Sequence, residues 1–267
     1  MSGFTRSVAY YWALTGIFGA FHLVLTFIPF SVLGMGGGFL TWGMVSAAIV
    51  GFLLGPFYGT IAVLVGSIIG TGIFNLGGFL GPIVPILAPT AGAFAAGALR
   101  TNRLRELFVL FLVAIIGYII SPIGITAFTF IWLHLITFFI VVILLVPKLM
   151  NKLIEGVTIE KDRNLRLMPF AILLFSFIAL MTDHIVGNTA TVYYLFYFGA
   201  FDAPTLAAMW LPITFVYPLE RLVATIALAV IVIAASEAIV QTGLELPISP
   251  WDSRESLELT PEEVENG

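Results

Sequence analysis

The chain has no cysteine and few charged residues, and both shortages limit what it can be. Without cysteine it has no disulfides, no thiolate metal sites and no cysteine nucleophile. Charged residues make up 10% of its 267 residues, whereas soluble domains carry about a quarter. Asp, Glu, Lys and Arg are absent between Arg6 and Arg100 and again from Leu107 to Pro147. Runs of this length exclude a water-facing surface and predict an all-α polytopic membrane protein, because about 20 apolar residues span the hydrocarbon core.

The apolar runs predict a bundle of about eight transmembrane helices in one domain, residues 1–243. The predicted spans are 9–31, 39–54, 57–75, 83–99, 107–121, 124–147, 169–187 and 218–240. Segment 188–217 is apolar but interrupted by glycine and proline, so a short span, a re-entrant piece and an outer cap are all compatible with it. Residues 244–267 are acidic and poor in apolar side chains, which is typical of a disordered tail.

Basic residues predict how the bundle is oriented in the cell membrane. Arg100, Arg103 and Arg105 form one cluster, and five Lys and Arg residues in 148–166 form a second. Cytoplasmic loops are enriched in such residues. Two spans lie between the clusters, and counting from them places both the N-terminus and the C-terminus in the cytoplasm.

Glycines spaced four apart indicate close helix packing. Gly51, Gly55 and Gly59 are followed by Gly66 and Gly70. Small residues let helices approach one another closely in lipid. A phosphate-binding loop is excluded because no Lys-Ser/Thr pair follows the glycines.

The few polar side chains at membrane depth are the candidate functional residues, because ionisable groups there are costly and usually have a role. On the predicted topology six of them share the outer third of the membrane: Asn75, Asp183, His184, Asn188, Glu220 and Arg221. Two interpretations stay open. One is a polar site that binds a small solute from outside, and the other is an internal ion pair that ties helices together. His22 and His134 are interpreted as interior histidines with satisfied hydrogen bonds.

Aromatic residues crowd the same region, and Trp210 and Tyr217 join the candidate binding residues. The density fits an interfacial belt or a lid over a planar ligand. Pro218 is expected in the first turn of the last helix, where its missing N–H costs nothing. Glu220 then favours the helix start, and Arg221 requires a carboxylate, either from Asp183 or from a ligand.

Catalytic patterns are absent from the sequence. Asp183 and His184 are adjacent and point about 100° apart on a helix, which is not a triad. The chain has no metalloprotease spacing and no nucleotide-binding loop. We therefore expect no enzymatic activity, no cofactor and no resident metal, and any energised transport would require a partner or an ion gradient.

Three segments carry a resemblance to a known family. GFLLGPFYGTIAVLVGSIIG (51–70) forms two predicted helices joined by a Gly-Pro turn, GGFLGPIVPILAPTAGAFAAGALRTNR (77–103) ends in a basic turn, and LPITFVYPLERLVATIALAVI (211–231) is led by proline. These segments resemble the substrate-binding (S) components of energy-coupling factor (ECF) transporters. The small-residue face of the first span, Ala9, Ala13, Gly16 and Ala20, is similar to the alanine motif with which that family docks its membrane coupling subunit.

The resemblance implies a substrate-capture subunit for uptake of a vitamin or similar solute. Such a protein binds its solute from the outer side and relies on a transmembrane coupling subunit and cytoplasmic ATPases. The family has six spans, so this chain carries an extra pair around 124–187, which includes Asp183 and His184. Metal-specific members use an N-terminal histidine, and Ser2 stands there in this chain. The alternatives are a proton- or ion-coupled permease and a non-transport membrane scaffold.

Overall fold

A computed structural model describes residues 8–29, 41–74, 80–159 and 164–242. These residues form nine α-helices and one 3-10 helix, with an isolated antiparallel bridge between Pro29 and Thr41. The acidic segment 244–267 and the predicted site residue Asn75 lie outside the described residues. The expectation of an α-helical membrane protein is confirmed at this level.

Eight of the nine α-helices follow the predicted spans in order, and the helix Pro147–Val157 is additional. Their bounds are α1 Val8–Thr26, α2 Gly43–Leu54, α3 Pro56–Phe74, α4 Val84–Arg100, α5 Leu104–Ile119, the 3-10 helix Phe128–Ile131 running into α6 Trp132–Leu144, α7 Pro147–Val157, α8 Met168–Tyr197 and α9 Ala203–Thr242.

The number of membrane crossings is established only in part. Among the described residues, four helices are long and apolar enough to cross a membrane, namely α1, α3, α8 and α9. A fifth is added if the helical stretch Phe128–Leu144 and α7, which meet at 99°, are counted as one bent span. Helices α2 and α4 are apolar but shorter. The count of about eight spans therefore remains a proposal.

Glycines bring the first four helices into backbone contact, as their spacing predicts. A Cβ added to Gly51 on α2 would lie 1.9 Å from the carbonyl oxygen of Ala93 on α4. One added to Gly59 on α3 would lie 2.7 Å from the Gly51 Cα, and one on Gly66 would lie 2.6 Å from the Gly19 oxygen on α1. Only hydrogen atoms fit at these distances, so packing explains this part of the glycine ladder.

A buried arginine closes the end of α2. Gly55 ends this helix with a φ of 86°, a conformation that glycine adopts without steric cost. The Nη1 atom of Arg100, at the end of α4, donates to the carbonyl oxygens of Phe52 and Leu53 at 2.7 and 2.9 Å. These contacts satisfy carbonyls that the helix end leaves without partners, and they join α2 to α4.

The predicted cytoplasmic loop 148–166 contains a helix that sequence reasoning did not identify. Helix α7 buries Met150, Leu153 and Val157 on one side and exposes Lys148 and Lys152 on the other. Such an amphipathic helix, turned 99° from the preceding one, fits the interface between membrane and water.

The prediction for the start of the last helix is wrong, and segment 188–217, for which three arrangements were compatible, is divided between two long helices. Helix α8 continues to Tyr197, and α9 begins at Ala203 and runs for 40 residues with Pro212 and Pro218 inside it. Pro218 is therefore not a first-turn residue, and Glu220 is not near a helix start. A proline removes one backbone hydrogen bond, and membrane helices tolerate this loss where neighbouring elements pack around it.

The real start of α9 has a conventional cap. The exposed Asp202 accepts a hydrogen bond from the Thr205 backbone N–H at 2.9 Å. Hydrogen bonding from Thr205 holds the pKa of Asp202 below its usual value, so its carboxylate is ionised and caps the helix at neutral pH. Asp202 is therefore the N-terminal cap of α9.

Candidate functional site

The centre of the bundle contains a buried ion pair. Arg221 on α9 and Asp183 on α8 lie with Nη1 and Oδ2 3.7 Å apart, and their side chains are 2% and 10% exposed. Arg221 Nη1 also contacts Met44 Sδ on α2 at 3.2 Å. The carboxylate expected to accompany Arg221 is thus Asp183, and the pair joins two long helices with a third beside it.

A glycine on α4 makes room for this pair. A Cβ added to Gly92 would lie 3.1 Å from the Asp183 Cβ. One turn away, a Cβ added to Gly187 on α8 would lie 2.9 Å from the Ala88 Cβ. Small residues on both helices let α4 and α8 pack closely along this stretch. This close packing fixes the position of Asp183, which lies halfway along α8.

Two histidines meet next to the ion pair. His134 Nε2 and His184 Nδ1 lie 3.0 Å apart, and the two rings stack with centroids 5.0 Å apart. Both side chains are buried. Sequence reasoning grouped His184 with the site but interpreted His134 as a separate interior histidine. The structure instead makes His134 part of the same cluster.

Aromatic rings enclose the histidines. The Phe130 ring lies 5.7 Å from each histidine ring and 5.1 Å from the Tyr217 ring. The Tyr217 hydroxyl donates to the Phe130 carbonyl oxygen at 2.9 Å. Trp210 is buried, and its ring centroid lies 6.5 Å from that of Phe130. Tyr217 and Trp210 therefore belong to the cluster, and Phe130 is a member that no sequence signal indicated.

The other predicted residues contribute less directly. Glu220 is half-buried and close enough to Arg221 to interact with it electrostatically. Asn188 is half-buried, and its side-chain amide donates to the carbonyl oxygen of His184, one turn back on its own helix, at 2.8 Å. The sequence does not indicate that the Asn188 side-chain amide donates to a backbone carbonyl of its own helix.

The polar cluster is closed, which differs from the pocket expected to open on the outer side. Taken as whole residues, side chain and backbone together, Asp183, His184 and Arg221 are each at most 7% exposed. A cavity of about 620 Å³ lies beside the cluster, between the 3-10 helix with α6 and α9. Its lining residues are Phe128, Thr129, Trp132, Leu135, Thr214, Phe215 and Pro218. The cavity therefore lies next to Asp183, His184 and Arg221, but none of these three residues lines it.

The third histidine has a structural role. His22 Nδ1 and Nε2 lie 2.8 and 3.0 Å from the hydroxyl oxygens of Ser46 and Ser67. Both ring nitrogens are thus hydrogen-bonded, and the ring joins α1 to α2 and α3. The interpretation of His22 as a satisfied interior histidine is confirmed.

The small residues on α1 face away from the fold. Ala9, Ala13, Gly16 and Ala20 are exposed, and nothing lies within 4 Å of a Cβ added to Gly16. The opposite side of α1 is buried through Tyr11, Thr15, Gly19, His22 and Thr26. The predicted docking face is thus accessible.

The cluster offers hydrogen-bonding and titratable groups. Within the described ranges, no group of three or more His, Cys, Asp or Glu side chains could hold a metal ion. The combination of a guanidinium, a carboxylate, two imidazoles and a phenol suits recognition of a polar group at membrane depth.

Comparison with known proteins does not assign the chain to a family. No family profile and no solved structure matches the chain. The chain is 27% identical over 215 residues to the uncharacterized protein MJ0923 of Methanocaldococcus jannaschii. This similarity covers 80% of the chain and 66% of the length of that protein.

Proposed function

We propose that the chain is the substrate-capture subunit of a nutrient uptake transporter, similar to the S components of ECF transporters. It binds a small organic solute in the bundle and docks on separate coupling and ATPase subunits. The bundle has about eight spans, and both termini are cytoplasmic. The buried cluster around Arg221 supplies the solute's polar contacts.

One observation carries this proposal, namely the exposed small-residue face of α1. Ala9, Ala13, Gly16 and Ala20 make no use of their small size within the fold, since they point away from it. The glycines of α2 and α3 differ, because neighbouring backbones fill the space that their side chains would need. A face of small residues on a membrane helix favours close contact with another helix, and the partner implied by the resemblance is a coupling subunit.

Co-purification tests the proposal. A tagged chain, expressed with the coupling and ATPase subunits of its own genome, should bring both down and support ATP-dependent uptake in vesicles. Gly16→Leu should abolish co-purification without lowering the melting temperature, because open space surrounds this position. Val113→Phe, at an exposed position on α5, is the matched control and should keep the partners. Failure of the unmodified chain to bring down either partner would refute the docking role.

A stand-alone ion-coupled permease is the second candidate, and the His134–His184 contact favours it. These rings lie beside Asp183 and Arg221, so titratable groups from α6, α8 and α9 meet at one place. Uptake by vesicles that contain only this chain, driven by a proton gradient and abolished by an uncoupler, would select this candidate. Dependence on ATP and partners would select the first.

A further inference from the structure

The cavity beside the polar cluster is open to the surface of the bundle and has the volume of a ligand site. Its volume of about 620 Å³ falls within the range of roughly 300–1,000 Å³ typical of small-molecule pockets. Its walls are aromatic and aliphatic, with two threonines as the polar exceptions. Phe128, Trp132 and Phe215 present flat rings that are 43–85% exposed. Such walls favour a planar, apolar body.

Phe130 adjoins both the cavity lining and the charged centre. Phe130 follows the lining residue Thr129, and its ring contacts the rings of His134, His184 and Tyr217. Phe130 lies in the 3-10 helix that precedes α6. This kind of helix has weaker hydrogen-bond geometry than an α-helix and often marks a movable segment. Displacement of this segment is the route by which a ligand in the cavity would reach the cluster.

The charged centre has hydrogen-bond donors to spare. Arg221 Nε and Trp210 Nε1 are buried, and no described residue accepts a hydrogen bond from either atom. The Asp183 oxygen is 3.7 Å from Arg221, whereas a charge-assisted hydrogen bond measures about 2.7–2.9 Å. The Met44 sulfur is a weak acceptor. Buried donors without acceptors are costly, so this centre favours an incoming group that brings oxygen acceptors.

We propose that the site takes a planar aromatic carboxylate, with its rings in the cavity and its carboxylate on Arg221 and Trp210. The inference rests on the proposed capture function and names the substrate class. A carboxylate matches the planar guanidinium in shape and charge. A sugar would find few partners on walls whose polar groups are Thr129 and Thr214. An organic cation would find only Asp183 and Glu220, which already interact with Arg221.

A matched pair of probes tests the inference. The intact chain in nanodiscs is titrated by calorimetry with 2-naphthoate and with 2-naphthamide, which has the same rings and no charge. We expect saturable naphthoate binding that is at least tenfold tighter than naphthamide binding. Equal affinity for the two probes, or no naphthoate binding up to millimolar concentration, would overturn the inference. Absence of naphthoate binding would indicate that the cavity is a surface groove filled by lipid chains.

Variants locate the bound probe. Arg221→Lys keeps the charge but loses the planar fork, and we expect roughly 10- to 100-fold weaker naphthoate binding. Trp132→Ala removes a partly exposed cavity wall and should weaken both probes. Ile213→Ala, at an exposed position outside the cavity lining, is the control and should bind normally. Unchanged affinity in the first two variants would place the probe elsewhere and refute the assignment.

The two proposals fail separately. If the coupling and ATPase subunits co-purify but naphthoate does not bind, the substrate class is wrong and the capture role stands. If naphthoate binds through Arg221 but no partner co-purifies, the site is correct and the docking role is wrong.

Discussion

Removing the Asp183 carboxylate should strongly destabilise the protein because it leaves a buried guanidinium without its counter-charge. The two charged groups lie 3.7 Å apart. At an effective dielectric constant of about 20, this separation corresponds to roughly 4–5 kcal/mol of attraction. The cost of burying Arg221 remains when only its partner is removed. We therefore expect Asp183→Asn to lower the free energy of unfolding by about 3–5 kcal/mol.

A double-mutant cycle separates the ion pair from the rest of the site. Arg221→Met alone should also destabilise, since it leaves Asp183 buried without a cation. Asp183→Asn combined with Arg221→Met removes both charges, and replacing a whole buried pair by uncharged groups is often nearly neutral. The double variant should therefore recover much of the loss, with a coupling energy of about 2 kcal/mol or more.

The assay is equilibrium unfolding in bicelles by added SDS, followed by tryptophan fluorescence, for the unmodified chain and the three variants. Glu220→Gln is the control, because Glu220 is half-buried and should cost less than about 1 kcal/mol. Losses that simply add in the double variant, or an Asp183→Asn loss below about 0.5 kcal/mol, would refute the reasoning. Naphthoate binding by a stable double variant would show that the pair is structural only.

Three further changes have clear expectations, each measured as a shift in unfolding free energy. Gly51→Ala should cost about 1–3 kcal/mol or more, because the added methyl group forces α2 away from α4. Gly16→Ala should be neutral, because open space surrounds Gly16. Equal unfolding free energies of the two variants would contradict the packing argument. Arg100→Met should cost roughly 2–3 kcal/mol because two backbone carbonyls lose a charged donor, and Arg100→Lys should restore part of it. Tyr217→Phe should cost about 1 kcal/mol for one buried hydrogen bond, and no change would mean that water replaces it.

Most of the helices could be predicted because their signal is simple. Long uncharged runs mark apolar helices, and Arg100 marks the end of one. Helix α7 was missed although Met150, Leu153 and Val157 are spaced as one helical face, because the polar residues Lys148, Asn151 and Lys152 beside them resemble a loop. The start of α9 was misplaced because proline is a strong stop signal in water. In a packed membrane helix the same residue costs only part of that.

The site could be predicted where charge is scarce and not where packing decides. Arg221 and Asp183 stand out because few charged residues occur at membrane depth, and such charges require partners. The sequence does not indicate that His134 belongs to the site, because the position of His134 across the membrane depends on the 3-10 helix that precedes α6. The ring of Phe130 and the small volume at Gly92 become meaningful only when neighbouring helices are in place.

The length of α9 has a mechanical consequence. Its 40 residues extend about 60 Å, twice the thickness of the hydrocarbon core. Part of the rod must therefore stand in water or among headgroups. The turn at 198–202, where α8 meets α9, is about 30 Å from Arg221 along the helix axis. Pro212 and Pro218 lie between them, where bending is easiest. We therefore expect a displacement of the turn to be taken up by bending of α9 at these prolines before it reaches Arg221.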